Sequence, residues 1–340
     1  MIKKISFLII TCFFLMILSP ESLAQNRRSN NTFLETISFG SCNKHDLPQP
    51  LWNSIMADNP DLWVWLGDNV YGDTHDMELL QEKYNHQKDL LDYRRLRLNT
   101  SVIGIWDDHD YGINDGGKYY AQKMESQQLL LDFLDEPQDS PRRLQKGAFA
   151  SYNYGLGNNS IKIILLDTRY HRDTLHKEDG KYIPNLEGTI LGEEQWEWLE
   201  KELKNSRARV NIIASGIQFI PTEHPFEKWA NFPKERERLL NLIASSKAQN
   251  PVLLSGDRHI AEICLLRDQW FPNGLFEITS SGMTHTWANY REEYNPYRIG
   301  SLIASLNYGT IKFDWENEWM TFFIKGEKGQ IYLEQRISIR

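Results

Sequence analysis

Six short apolar runs, each stopped by a polar cluster, constrain this chain more than anything else in it. They occupy 34–39, 62–66, 102–106, 161–166, 210–214 and 252–254, and most end in Gly, Asp or both. Runs this short, bounded by turn residues, read as β-strands. Helical candidates lie between them, near 75–98, 118–134, 193–205 and 234–248. In the third, Trp196, Leu199 and Leu203 share one face while Glu200, Lys201 and Lys204 lie elsewhere. Beyond residue 275 the pattern turns strand-rich, at 275–279, 308–315, 320–324 and 331–339, with a turn over 326–329. Strands alternating with helices, then a strand meander, predict an α/β protein with two sheets. No Pro- or Ser-rich linker interrupts it, so 25–340 is expected to be a single domain.

The first residues are excluded from that fold. Lys3 and Lys4 precede an apolar run at 5–18, and Ser19-Pro20 and the small-residue site Ser22-Leu23-Ala24 follow. This is the three-part pattern of a secretory signal peptide, so 1–24 is expected to be removed and the mature chain to be periplasmic or secreted. A membrane anchor is the alternative, but the run falls short of the about 20 residues that a span needs. Cys12 lies inside the run instead of after it, which argues against a lipoprotein. No later run approaches transmembrane length. The net charge is −8, and removing Lys3, Lys4 and Glu21 makes it −9. An acidic chain has no general electrostatic reason to bind nucleic acid or an anionic membrane, and no nucleic-acid surface is expected. An anionic substrate would have to be attracted locally, and a bound cation is the evident means. The 11 tryptophans suggest aromatic packing or a lined pocket.

Four strand ends carry the chemistry. They are Phe39-Gly40-Ser41-Cys42-Asn43, Trp65-Leu66-Gly67-Asp68-Asn69-Val70-Tyr71-Gly72-Asp73, Ile105-Trp106-Asp107-Asp108-His109-Asp110-Tyr111-Gly112 and Leu254-Ser255-Gly256-Asp257-Arg258-His259. If parallel strands carry them, they converge on one sheet edge, where α/β proteins bind ligands. Adjacent carboxylates repel unless protonated or bound to a cation, so the convergence favours a metal site. Each motif has a bland reading: a Gly-Asp turn, a solvated loop with a helix cap at Asp107, Asp108 and Asp110, a satisfied core histidine at His259. Cys42 could be half of a disulfide with Cys264, a small buried residue or a metal ligand. Cys264, in the apolar run 260–266, reads as a buried thiol on a strand.

Taken in order, Gly-Asp-x-x-Tyr, then Asp-His, then Gly-x-x-His resembles the signature of purple acid phosphatases and calcineurin-like enzymes. The details are closer to the alkaline phosphatase D, or PhoD-like, family. FGSCNK, GDNVYGD, WDDHDYGIND, LLDTRYHRD, LGEEQWEWL, SGDRH and TSSGMTH carry the resemblance, from about residue 38 to 287. It implies a metallophosphatase fold, with two facing mixed β-sheets flanked by α-helices. It also implies hydrolysis of phosphomonoesters or phosphodiesters, some members acting on phospholipids. By the same resemblance Cys42, as thiolate, Tyr71 and His259 would bind Fe3+, and Asp68 would bridge two metals. Asp108 and Asp257 would hold the second ion. That position is rich in oxygen, which suits Ca2+, with Mg2+, Mn2+ or Zn2+ as alternatives. His109 would act beside the phosphate as acid or transition-state stabiliser while a metal-bound hydroxide attacks phosphorus in line. Arg169 is a candidate catalytic and phosphate-binding group, with a structural ion pair as the alternative. Asn69 and His285 are candidate substrate contacts.

Some residues depart from the pattern. Gln218 stands where the wider superfamily has a metal-binding histidine, and a core hydrogen-bonding role is expected for it. Trp287, Tyr290, Tyr294 and Tyr297 would form either an aromatic lip or ordinary packing. His45, His75, His171 and His224 have no matching partner spacing. Longer family members carry a β-rich domain before the core, whereas Cys42 follows the expected cleavage point by 18 residues; a reduced, single-domain member is expected. The leading expectation is an exported two-metal phosphodiesterase or phosphatase. A calcium-stabilised, non-catalytic module for phosphorylated lipids or glycans is the alternative; thiol, phenol and imidazole together disfavour it, because calcium prefers oxygen. An esterase using Ser41 or Cys42 would lack a Gly-x-Ser-x-Gly elbow.

Overall fold

The computed structural model describes residues 32–288 and 293–340. The expected signal segment and Tyr290 lie outside them. The first half of the chain runs β1 (Thr36–Gly40), α1 (Trp52–Ala57), β2 (Leu62–Leu66), α2 (Met77–Asp89), α3 (Leu91–Asn99), β3 (Ser101–Ile105), α4 (Asp108–Tyr111), α5 (Lys123–Phe133), β4 (Ala150–Tyr154) and β5 (Ile161–Leu165). A small hairpin, β6 (His176–Glu178) and β7 (Lys181–Ile183), precedes α6 (Gly192–Lys204), β8 (Val210–Ser215), α7 (Pro233–Ser245), β9 (Pro251–Ser255) and β10 (Ala261–Leu266). The chain closes with β11 (Leu275–Ser280), β12 (Arg298–Ile303), β13 (Tyr308–Asp314), β14 (Trp319–Lys325) and β15 (Ile331–Ser338).

Two mixed sheets result. The first has the order β15-β14-β13-β1-β2-β3, the second β12-β10-β11-β9-β8-β5-β4. In the first, β1, β2 and β3 are parallel and the closing meander adds antiparallel to β1. In the second, β5, β8, β9 and β11 are parallel, with antiparallel strands on either side. The parallel strands β1, β2 and β5 are buried at every residue, as strands covered on both faces must be.

Side-chain alternation assigns the faces. Ile163 and Leu165 of β5 join the core between the sheets, and Ile164 and Leu166 join a second core beneath Trp196, Leu199 and Leu203 of α6 and Leu239 and Ile243 of α7. The outer face of the first sheet is aromatic. Trp63 and Trp65, two residues apart on β2, stack edge-on at 5.2 Å, and Trp52 of α1 and Tyr93 of α3 pack on Trp65 at 5.6 and 5.7 Å. These tryptophans pack helices on a sheet.

The helix expected over 75–98 is two helices. Asp76 caps the first, accepting from the Glu78 and Leu79 amides at 2.9 and 3.2 Å. Leu90 breaks it with an extended ψ of 126° and packs against the core. The helix expected from 118 starts at Lys123. Strands β4 and β12 went unanticipated because both are half-exposed edges with little apolar signal.

Candidate metal centre

The ends of β1, β2, β3 and β9 do converge. Asn43 N donates to Asp68 O at 2.8 Å, tying the first two loops. Asp110 ties the second to the third. Its wholly buried carboxylate accepts from Asp107 N (2.7 Å), Asp68 N (3.0 Å), Asn69 N (3.2 Å) and Asn69 Nδ2 (2.6 Å). Burial pushes that carboxyl up to about 7 against those backbone donors. Cys42, Asp68, Asp257 and His259 all have positive φ, at 58°, 50°, 66° and 53°. Left-handed backbone in non-glycine residues costs free energy, and here it turns four side chains out of the strands toward one another.

The resulting cluster has two corners. In one, Cys42, Asp68 and His259 each bring a donor atom within 4.8 Å of the others. Cys42 Sγ lies 3.4 Å from Asp68 Oδ2, and Tyr71 OH lies 3.5 Å from the same oxygen and 3.0 Å from His259 Nε2. In the other, Asp68, Asp107, Asp108 and Asp257 lie within 4.8 Å of one another. Asp68 belongs to both.

Burial shifts the protonation states in both corners. Burial, reinforced by Asp68 and Asp257, raises the Cys42 thiol well above its usual range. Burial, reinforced by Cys42 and Asp68, does the same to the Tyr71 phenol. His259 is pushed down to about 3, chiefly by burial and then by His285 and His109, so its ring is neutral and has a lone pair to give. Asp257 is pushed up to about 7 by burial and by Asp108. For Asp108, burial is outweighed by Arg169, His109 and the amides of Asp115 and His109, which lower its pKa.

These residues fit metal ions. Four carboxylates this close carry a charge that burial disfavours, and a polyvalent cation relieves it. Glycines make the room that the Asp107 side chain occupies in this corner. A Cβ on Gly67, whose φ is +91°, would fall 2.4 Å from Asp107 Cβ, and one on Gly216 would fall 2.1 Å from Asp107 Oδ1. A third acidic group, Asp108, Asp115 and Glu227, has its own cations: Lys177 on Asp115, and Arg169 and Arg172 on Glu227.

The other expected site residues are placed as follows. His109 is beside the cluster, stacked on the Tyr71 ring at 4.1 Å, with Nδ1 2.7 Å from Asp73 Oδ1. Burial opposes its charge, but Asp68, Asp73 and Asp108 outweigh it and raise the imidazolium to about 10. His285 reaches the cluster too, with Nε2 3.0 Å from Tyr71 OH. Arg169 is placed in a buried ion pair. It is wholly buried, with Nε and Nη2 each 2.7 Å from Asp107 Oδ1 and Nη1 2.7 Å from Glu227 Oε2. The ion-pair alternative describes it, because every nitrogen is committed to a carboxylate. Asn69 is likewise turned inward: Nδ2 donates to Ile105 O and to Asp110. Its amide holds the end of β3 and the Asp110 carboxylate. Gln218 is a core residue, as expected, bridging Glu262, Thr279 and Arg258. Cys42 and Cys264 are both free, buried thiols. Cys264 sits in the second sheet and accepts from Asn295 Nδ2 at 3.3 Å.

The sequence pattern marks Asp107 as a loop or cap residue, and it does cap α4; it also stands in the carboxylate corner with Oδ2 buried and unpartnered among the described residues. Its partners lie 62 positions on, at Arg169, and beyond, so no local spacing marks it. Asp73, two residues past Tyr71, was missed for the same reason: its partner His109 lies on another strand end.

Two mixed sheets with a carboxylate, thiol and imidazole cluster where their parallel strands end define the metallophosphatase class. Solved structures agree on the fold: a structure of PhoD (TM-score 0.69, 18% identity, covering 91% of this chain and 72% of that one) and the purple acid phosphatase PPD1 of yellow lupin (0.63, 14%, 91% and 54%). GAP50, the anchor in the inner membrane complex of Plasmodium, shares it as well (0.60, 12%, 91% and 90%), so the fold by itself does not separate catalysis from anchoring. Residues 37–293 match the PhoD-like phosphatase model, and the chain belongs to the PhoD-like phosphatase family. Alkaline phosphatase D of Bacillus subtilis (strain 168) is 29% identical over 268 residues, 66% of this chain and 46% of that protein; the chain thus spans about half the length of this relative.

Proposed function

We propose that this chain hydrolyses phosphoric esters at a two-metal centre. Cys42, Tyr71 and His259 would hold one ion, Asp108 and Asp257 the other, and Asp68 both. The carrying observation is that Asp68 alone belongs to both the mixed corner and the wider carboxylate corner. The donor types support Fe3+ in the first corner and Ca2+ in the second, with Mg2+, Mn2+ or Zn2+ as alternatives. When bound, the ions would supply charge to hold the phosphate and acidity to activate water for in-line attack.

The chain's own residues do the rest. In the metal-free protein, against burial, Asp68, Asp73 and Asp108 raise the His109 imidazolium to about 10, and Asp73 and the Tyr71 ring fix its plane. It is the group suited to protonate a leaving alkoxide. Lys44, with Nζ 5.0 Å from the Tyr71 ring centroid, adds a cation that has no carboxylate partner among the described residues. The wholly buried Cys42 and Asp68 keep bulk water from the deep side. The thiol and imidazole weigh against a purely calcium-binding module.

The test is metal analysis of protein purified without chelator, with a panel of phosphomonoesters and phosphodiesters. Two ions per chain and a coloured protein are expected, and Asp68→Asn should lose both ions and the hydrolysis. Full activity in Asp68→Asn with both metals retained would sink the reading. We also propose export of the mature chain: its N-terminus should follow Ala24, and an N-terminus at Met1 in the exported fraction would refute that. Among the described residues no helix is long and apolar enough to cross a membrane.

A further inference from the structure

A strip of rings leads outward from the centre. Tyr71 OH meets His259 and His285, whose rings lie 4.3 Å apart. Trp287 lies 5.3 Å from the His259 ring, and Phe226 lies 6.0 Å from Trp287 at an interplanar angle of 24°. The Arg258 guanidinium backs Phe226 at 4.4 Å and is itself held by Glu293. The backbone fixes the strip to the centre, because Trp287 N donates to His259 O at 3.1 Å.

Trp287 is nevertheless 44% exposed. A large indole left partly in water, pinned by its backbone to a candidate metal ligand, has apolar face to give to something arriving at the centre. Tyr294, the other exposed aromatic of this segment, makes no ring contact with the centre among the described residues.

We propose that Trp287, backed by Phe226, is a stacking platform for a flat aromatic group on the esterified alcohol. This deepens the phosphoesterase reading and rests on it. Because the indole lies 5.3 Å from the ring of His259, a candidate ligand, the alcohol of a phosphate held at the centre would lie beside it. A planar group there gains dispersion and excludes water, and an acyclic alcohol gains neither. A nucleobase and a simple aryl ring share that chemistry.

The experiment compares three monoesters with similar primary-alkoxide leaving groups: a nucleoside 5′-phosphate, 2-phenylethyl phosphate and ethyl phosphate. Metal-loaded wild type, Trp287→Ala and Trp287→Phe are assayed on each. In Trp287→Ala the preference in kcat/KM for flat over ethyl substrate should fall about tenfold, from the size of a base–aromatic stack, through KM more than kcat. Trp287→Phe should restore most of it. A fall for the nucleoside alone identifies a nucleobase, and a fall for both identifies any aryl ring. An unchanged preference overturns the proposal. Calorimetric binding of the nucleoside phosphate keeps the two readings apart. If wild type hydrolyses none of the esters but Trp287→Ala still loses affinity for it, the hydrolase reading falls and the platform stands. If affinity is unchanged, the platform falls.

Discussion

The two corners of the centre share Asp68 and little else. The Cys42 corner offers sulfur, phenol and imidazole, and in the metal-free protein those groups hold no charge: the thiol and phenol keep their protons and His259 is neutral. The Asp257 corner is all carboxylate, with a cation built into its wall, since Arg169 keeps its charge through Asp107 and Glu227 despite its burial. An ion entering either corner must displace protons, from a thiol and a phenol in the first and from carboxyls that burial raises, Asp68, Asp107 and Asp257, in the second. The corners therefore differ in donor type, with sulfur, phenol and imidazole beside Asp68 in one and carboxylate alone in the other.

The largest break in that comparison comes from paired variants. Cys42→Ser should weaken the ion of the first corner by more than about 100-fold, since even outer partners of a metal site are worth about 10- to 100-fold. Asp257→Asn should do the same to the second ion only. Metal content by mass spectrometry, with loss of the thiolate absorption as the optical readout, checks the crossover; loss of both ions in both variants would merge the corners into one.

Acid and base should next separate the corners in chelated protein. His259 has a pKa depressed from 6.5 to about 3, so its contribution to stability is full above about 6.5 and is lost as pH falls toward 3. Asp257 is raised from 3.8 to about 7, so its contribution is full below about 3.8 and is lost as pH rises through 7. In thermal melts across pH, His259→Asn should remove a rise in stability between about pH 3 and 6.5, and Asp257→Asn a fall in stability between about pH 4 and 7. If both variants remove a change of the same sign, the corners do not differ as described.

A smaller effect sharpens the comparison from behind. Gly216→Ala crowds Asp107 and should cost about 1–3 kcal/mol in chemical denaturation. It should loosen the ion proposed for the carboxylate corner and spare the thiolate signal. The smallest effect belongs to Lys44→Met, which should raise KM about two- to fivefold, as suits a partly exposed charge, with kcat nearly unchanged.

Much of this architecture is legible from strand ends. Cys42, Asp68, Tyr71, Asp108, Asp257 and His259 each follow an apolar run, and the parallel order of those runs brings them together. The parts that sequence concealed are contacts made across strand ends. Arg169 was ambiguous because its partners, Asp107 and Glu227, are 62 and 58 positions away. The amide of Asn69 looked available until β3 and Asp110 were placed against it. Asp110 was one acid among three in WDDHD, and nothing local shows that it gathers the amides of two loops. The break at Leu90 depended on where the core lay, which no helix propensity encodes.

The left-handed backbone at Cys42, Asp68, Asp257 and His259 has a consequence for how such a protein responds to selection. Glycine would relax the backbone of each of those positions by about 1 kcal/mol, and each such change would delete a proposed ligand. A screen that rewarded heat resistance alone would therefore push these four sites toward glycine. It would return a sturdier shell whose chemistry had been traded away one residue at a time.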